Sequence, residues 1–472
     1  MCVSSSRSWQ AVAERLPLQA YLEQSFKADL MTELRQTDQV LPAAQRALNR
    51  QDITWALGLF GTAIGAGTLF LPIAAGIGGT WTLLFIALFA LPVTYFSHRA
   101  LTRFVQSGAD SDRDITDVVG RHFGPHARAL FTVLYFFAIF PILLVYSVAI
   151  TNTTLDVLTH QLGMTSPPRA LVSFLLIAVL IGIARGGERR VVKAMSYLVY
   201  PFIAALVILS LILIPHWSTA FFAASARTEA ASSSSAVWTS IWMAIPVLVF
   251  SFNHSPIISA FAMDQRQRYG ANADRKSCQI LGGAHLLMVA TVLLFVFSCV
   301  LSLTPADLAE AKADNITILS YLARHFNTRI IEVAAPIIAL IAIAKSFLGH
   351  YIGAREGAVG LIEHVCRGKS SSRRHRVLND VAAVLMGLSC WGVATLNPGI
   401  LSMIEKLGGP IIALLLFLLP MVAIYTLPVL SRYRRNPSNL LVIVIGVLAV
   451  LAAFSQITGI LSALWSFLTH AV

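Results

Sequence analysis

Residues 61–72 read GTAIGAGTLFLP, and residues 250–259 read FSFNHSPIIS. Each stretch sits inside an apolar run long enough to cross a membrane, and each carries what an apolar helix should avoid. Gly61, Gly65 and Gly67, followed by Pro72, weaken the first run. Asn253, His254 and Ser255, followed by Pro256, interrupt the second. Glycine weakens a helix and proline removes a backbone donor, so both spans are expected to unwind at mid-membrane depth. Taken alone, the glycines of the first run read equally well as a surface for close helix packing. Two such breaks five spans apart carry more weight than one.

The rest of the chain supplies the setting. Its 472 residues are 56% hydrophobic and 12% charged, with a mean hydropathy of +0.72, whereas soluble domains run near about 25% charged. A soluble enzyme is excluded on that ratio. Apolar runs near the length of about 20 residues that spans hydrocarbon fall at 54–76, 81–98, 129–153, 170–184, 194–214, 238–262, 280–303, 334–352, 379–396, 408–428 and 439–464. Hydrocarbon offers no water to backbone N–H and C=O groups, so such runs must be helical. The expected fold is an all-α polytopic membrane protein with about 11 transmembrane helices. Because 170–184 is short and the next-to-last pair of runs lies close together, ten or twelve crossings also fit.

Net charge is +12, from 35 Lys and Arg against 23 Asp and Glu. In a soluble protein that excess would suggest nucleic acid; here its placement says otherwise. Most basic residues, among them Arg99, Arg103, Arg185, Arg189, Arg190, Arg266, Arg268, Lys276, Arg373, Arg374, Arg432 and Arg434, fall on one side of the predicted membrane. Arg169, Arg227, Lys312, Arg324, Arg329 and Lys406 fall on the other, and Lys345 alone lies inside a span. Short cytoplasmic loops hold the excess of Lys and Arg. The reading is a cytoplasmic N-terminus, a periplasmic C-terminus and a lipid bilayer as the partner, with no nucleic acid.

Residues 1–50 read as a cytoplasmic tail with a weakly amphipathic stretch through Leu16, Leu22 and Leu30. Ser225–Ser235 reads as an external loop, and 305–325 as one external amphipathic helix that is either a lid or a plain connector. The five cysteines and twelve histidines show no ligand spacing and read as scattered. No disulfide framework, metal or cofactor is expected.

If spans 1–5 and 6–10 are structural repeats, spans one and six are equivalent, and an odd repeat length inverts the second half. Paired interrupted helices at such positions mark the mid-membrane substrate site of a secondary transporter. The expected organisation is a ten-helix core over 51–430, with inverted repeats at about 51–215 and 236–428, followed by an added helix within 431–472. N–H groups freed at Thr62, Ala63, Ile64, Gly65, Ala66 and Gly67 suit a carboxylate, and carbonyls freed at Phe252, Asn253 and His254 suit an ammonium. Together they suit a zwitterion, a small amino acid whose side chain Asn253, His254 or Ser255 would read.

Lys345 is costly at that depth, by at least ~3 kcal/mol on insertion scales, so it is expected to have a role or a partner. Burial disfavours the charged form of a lysine, which suits it to binding and releasing a proton. Ser346 shares its neighbourhood, and His350 shares a helix face with Ser346. His254 reads equally as a proton site and as a structural histidine. Tyr146 and Asn152 are candidates for lining the same cavity, with polar packing contacts as the favoured reading.

Five blocks carry a resemblance: 61–72; YFFAIFPILLVYSVAITNT at 135–153; 250–259; FSCVLSLTPADL at 297–308; and KSFLGHYIGARE at 345–356. Over about residues 50–430 the chain resembles the serine/threonine branch of the hydroxy and aromatic amino acid permease family, in the amino acid–polyamine–organocation superfamily. The first 50 residues extend beyond the family's pattern. The resemblance implies import of L-serine by proton (H⁺) symport across the bacterial inner membrane. It also implies the five-plus-five inverted-repeat fold. Sodium-coupled relatives hold a sodium between span one and small hydroxylated residues of span eight; here that region reads Lys345-Ser346, favouring protons. Threonine, cysteine or an aromatic amino acid is the alternative substrate. An intramembrane enzyme lacks a third group to orient His254 and Ser255, and a channel lacks a continuous polar pore.

Overall fold

A computed structural model describes residues 47–109, 114–186, 188–231, 233–326, 328–365 and 372–470. The predicted tail lies outside the described residues up to residue 46. Among the described residues every regular element is helical: α1 (Arg50–Ala63), α2 (Ala66–Ile77), α3 (Gly79–Gln106), α4 (Ile115–Phe123), α5 (Pro125–Asp156), α6 (Arg169–Arg185), α7 (Glu188–Leu213), α8 (Ala220–Ala231) and α9 (Ser234–Ser251). There follow α10 (Ser255–Tyr269), α11 (Ala273–Leu301), α12 (Pro305–Ala313), α13 (Ile318–His325), α14 (Arg329–Val365), α15 (Ser372–Leu396), α16 (Ile400–Thr426, with two wide turns) and α17 (Ser438–His470).

All eleven predicted runs fall on helices. By length and apolarity, eight helices among the described residues can cross a membrane, and the bent pair α1–α2 makes nine. α6 has 17 residues, and the described apolar part of α17 is Ser438–Ala452. Outward-facing side chains explain the composition: Leu84, Leu88, Phe174, Leu175, Val179, Val384 and Leu385 are all exposed. A belt of this size would be an association hazard in water and is ordinary against lipid. Trp81 and Trp238 are also exposed, as amphipathic rings at a membrane interface would be.

The two connectors differ from their expected form. Much of Ser225–Ser235 is helical, within α8, because the alanine-rich AFFAASARTEAA favours helix and the Ser225 hydroxyl donates to Glu229 four residues on. The single helix expected over 305–325 is two, α12 and α13. Thr304 and Asp307 form a capping box that starts α12, and Asn315, with φ of 56°, ends the turn before Thr317 caps α13.

The breaks are where the sequence puts them. α1 begins at Asn49, whose side chain accepts from the N–H groups of Gln51 and Asp52 while Asp52 accepts from Asn49 N–H. It ends at Ala63, and α2 restarts at Ala66 after a 58° bend. α9 ends at Ser251 and α10 starts at Ser255. Pro256 sits in the first turn of α10, where its missing N–H has no intrahelical partner to lose.

Candidate functional site

The two breaks touch. Thr68 Oγ1 donates to the Ser251 carbonyl at 3.3 Å, and Ser251 Oγ donates to the Gly67 carbonyl at 2.8 Å. A Cβ on Gly67 would lie 2.6 Å from a Phe250 ring carbon and 2.9 Å from Ser251 Cα, so only glycine permits the crossing. Small-residue packing and unwinding, which the sequence offered as alternatives, therefore coexist within a few residues.

α14 closes the first break from the side. Lys345 Nζ donates to the Gly61 carbonyl at 2.5 Å, and Ser346 Oγ donates to the Ile64 carbonyl at 3.1 Å. These carbonyls form the negative end of the α1 dipole, so a cation and a hydroxyl meet partial charge of the right sign. Lys345 is buried, its ammonium 5.4 Å from the centre of the Phe202 ring. Among the described residues no carboxylate pairs with it. A Cβ on Gly65 would lie 2.5 Å from Ser346 Oγ and 2.6 Å from Tyr146 Oη, which places Tyr146 at the break as well. The Tyr146 ring meets the His350 ring edge-on at 5.2 Å, and His350 Nδ1 bonds the Ser346 carbonyl at 2.8 Å.

Several candidates are occupied differently from expectation. Thr62 turns its hydroxyl back to the Gly58 carbonyl at 2.9 Å, within its own helix. At the second break the Phe252 carbonyl faces His254 Nδ1 at 3.0 Å, and the His254 carbonyl accepts from Ile257 N–H at 3.2 Å. Two of the three carbonyls expected to be free are thus engaged. Asn253 Oδ1 accepts from Ser255 N–H at 3.1 Å, where α10 begins. Donors remain at the start of α2, where Ala66, Gly67 and Thr68 have no intrahelical acceptor and Gly65 offers no side-chain cap.

Asn152 does not join this group. It accepts from Arg169 at 2.6 Å and donates to the Asn315 carbonyl at 2.6 Å, in a network that takes in Asn397 at one end of the bundle. Nearby, Arg324 bonds Asp156 and Asp314. At the opposite end Asp52 meets Lys276 at 3.0 Å and accepts from the Tyr269 hydroxyl at 2.8 Å, while Arg103 pairs with Asp274 at 2.8 Å. Polar networks close the bundle on both sides. Ala63, Ile64, Ala66, Phe252, Asn253, His254, Tyr146, Lys345 and Ser346 are all buried between them, while Thr62 and Ser255 are half-buried. A cleft of about 260 Å³ between α6 and α15 is lined mainly by apolar side chains and lies away from the breaks.

Sequence reasoning missed two residues here. The histidines that read as scattered include His98 on α3 and His285 on α11, which the fold packs against His254. The available signal was depth, since each lies on an apolar run and ionisable side chains inside a bundle are functional by default.

Comparison with known proteins places the chain among membrane permeases. The profile of the tryptophan/tyrosine permease family matches residues 53–462. The serine transporter SdaC of Escherichia coli (strain K12) is 55% identical over 423 residues, which cover 89% of this chain and 99% of that one. The threonine/serine transporter TdcC of Edwardsiella tarda is 42% identical over 424 residues, 86% and 96% of the two chains. Among solved structures, a substrate-bound outward-open Na⁺-coupled sialic acid symporter matches with a TM-score of 0.50 at 15% identity, covering 92% of this chain and 96% of that chain. At that identity the likeness is one of fold.

Proposed function

Because the chain belongs to the tryptophan/tyrosine permease family, and is an amino acid permease rather than an enzyme, we propose that it imports L-serine by proton symport across the bacterial inner membrane. The observation that carries this reading is the meeting of the two broken spans beside Lys345. The N–H groups of Ala66, Gly67 and Thr68 hold the substrate carboxylate, at the positive end of the α2 dipole. The free carbonyl side of the second break, around Asn253, holds the ammonium. Serine's hydroxyl meets Ser346, Tyr146 and Ser255. The 55% identity to a protein named a serine transporter supports serine; the threonine/serine relative supports threonine as a second substrate.

Proton coupling draws on the positive charge of Lys345, with Ser346 next to it at the first break, and on His254 at the second. The Lys345 ammonium supplies, on the carbonyl end of α1, the positive charge that a bound cation would supply. The ten-helix core spans 51–430 as two inverted repeats, with α17 added, the N-terminus cytoplasmic and the C-terminus periplasmic. Radiolabelled serine uptake into proteoliposomes, competed with each other amino acid with and without a protonophore, tests both halves. Uptake indifferent to an imposed pH gradient would remove the proton, and stronger competition by threonine would change the substrate.

A further inference from the structure

His98, His254 and His285 converge from three elements: α3, the gap before α10, and α11. Each is 1% exposed or less, and a ring nitrogen from each lies within 4.8 Å of the others. His98 and His254 stack face to face, with centroids 3.5 Å apart and planes 4° from parallel. His285 leans across both, 4.8 Å from His254 and 5.3 Å from His98.

Hydrogen bonds fix the tautomers. Nδ1 of His98 faces the Thr94 carbonyl at 2.7 Å, Nδ1 of His254 the Phe252 carbonyl at 3.0 Å, and Nδ1 of His285 the Leu281 carbonyl at 2.7 Å. A carbonyl only accepts, so each Nδ1 carries the hydrogen and each Nε2 presents a lone pair. His98 Nε2 accepts the backbone N–H of His254 at 3.3 Å. The Nε2 atoms of His254 and His285 are buried with no hydrogen-bond partner. Unsatisfied buried nitrogens of this kind call for an explanation.

We propose that these three imidazoles form one proton-binding site, and that the proton they hold is the one carried with the substrate. This rests on the symport reading above and gives it an address. One proton adds to the Nε2 lone pair of His254 or His285, no other bond breaks, and the cluster passes from neutral to a single positive charge. A second proton would face the first across a few ångströms in a water-poor interior, so the site holds one. The titratable groups bearing on His98 and His254 are the other members of the cluster. Tyr95 presents its ring to His285 at 5.8 Å, and Arg99 turns its guanidinium over the Tyr95 and Phe96 rings. A metal shared by all three does not fit this arrangement. An ion binds an imidazole lone pair in the ring plane, and two parallel planes stacked at 3.5 Å have no point in common.

The cluster also reaches the broken sixth span. The bond from His254 N–H to His98 ties the broken backbone of the sixth span to the second span. When the proton taken up at His254 or His285 passes on to His98 Nε2, that nitrogen becomes a donor and the tie is undone. Loading and unloading the cluster thereby acts on the backbone beside the substrate.

The test uses proteoliposomes of the full chain and the separate variants His98→Gln and His285→Gln. The expected result is serine exchange close to that of the unsubstituted protein with accumulation under a pH gradient reduced at least about tenfold, a coupling of ~1.4 kcal/mol. Variants that exchange serine and still accumulate it normally would overturn the cluster's role while leaving symport intact. Unsubstituted protein that ignores the pH gradient would sink both readings together. Should neither variant fold, nitrogen NMR of the unsubstituted protein with labelled histidine decides. A serine-dependent gain of one proton at a buried imidazole supports the site, and buried rings that stay neutral throughout exclude it. Zinc retained stoichiometrically through purification would also count against it.

Discussion

Lys345 shows how much one side chain can carry. Its burial against carbonyls rather than a carboxylate means that removing it leaves no orphaned anion, only the Gly61 carbonyl short of a donor. Lys345→Met keeps the length and apolar stem of the side chain, so the bundle should tolerate it at a cost of roughly 1–3 kcal/mol for that unsatisfied acceptor. Accumulation of serine under a pH gradient is expected to fall about tenfold or more, while serine–serine exchange persists. Parallel exchange and gradient-driven uptake assays separate the two; undiminished accumulation would take Lys345 out of the coupling. The sequence singled this residue out because a lysine in an apolar run is costly, with snorkelling to the cytoplasmic face or a fixed structural pair as the bland alternative. It could not show that the ammonium lands on Gly61, since that contact joins positions 284 residues apart.

At the scale of elements, function depends on whether the half-helices can move. α1 is tied at its start to α10 and α11 by the buried Asp52–Lys276 pair and by Tyr269, and Trp55 Nε1 donates to Asp264 of α10 at 2.7 Å. Lys276 also donates to the Ala47 carbonyl. This network lies at the end predicted to be cytoplasmic, and on the proposed import reading it opens for release. Asp52→Asn alone leaves a buried cation without its carboxylate, a loss of about 3–5 kcal/mol, and should favour the open state. Adding Lys276→Met should restore much of the stability. Melting temperatures of the two variants, with labelling by a cysteine reagent applied from the cytoplasmic side, check this; equal labelling of the single variant and the unsubstituted protein would refute it. The broken elements were legible because glycine and proline act locally. The pairings between elements were not: nothing in the spacing of Asp52, Tyr269 and Lys276 foretells that they share one site, and the same holds for His98, His254 and His285. Asn152 makes the polar packing contacts that were its favoured reading, but their partners, Arg169 and Asn315, could not be read from its own helix.

For the molecule as a whole, composition and hydrophobic runs settled the fold class, because backbone groups in hydrocarbon allow little else. The number of crossings is harder, since α6 is at the lower limit of length and α17 follows a short turn at Pro428–Tyr433. α17 is nevertheless built into the bundle: Trp242 Nε1 of α9 donates to the Leu448 carbonyl at 2.8 Å, and Gly446 lies against Phe417 and Leu418 of α16. Eleven crossings put the two ends of the chain on opposite faces, and ten or twelve put them on the same face. Charge favours the odd count, because Arg432, Arg434 and Arg435 cluster just before α17 while the segment after Ser438 carries no Lys or Arg. A reporter enzyme active only outside the inner membrane should therefore be silent when fused after Arg435 and active when fused beyond α17. Activity at both fusions, or at neither, would mean that α17 does not cross, and the substrate core would then stand without its eleventh span.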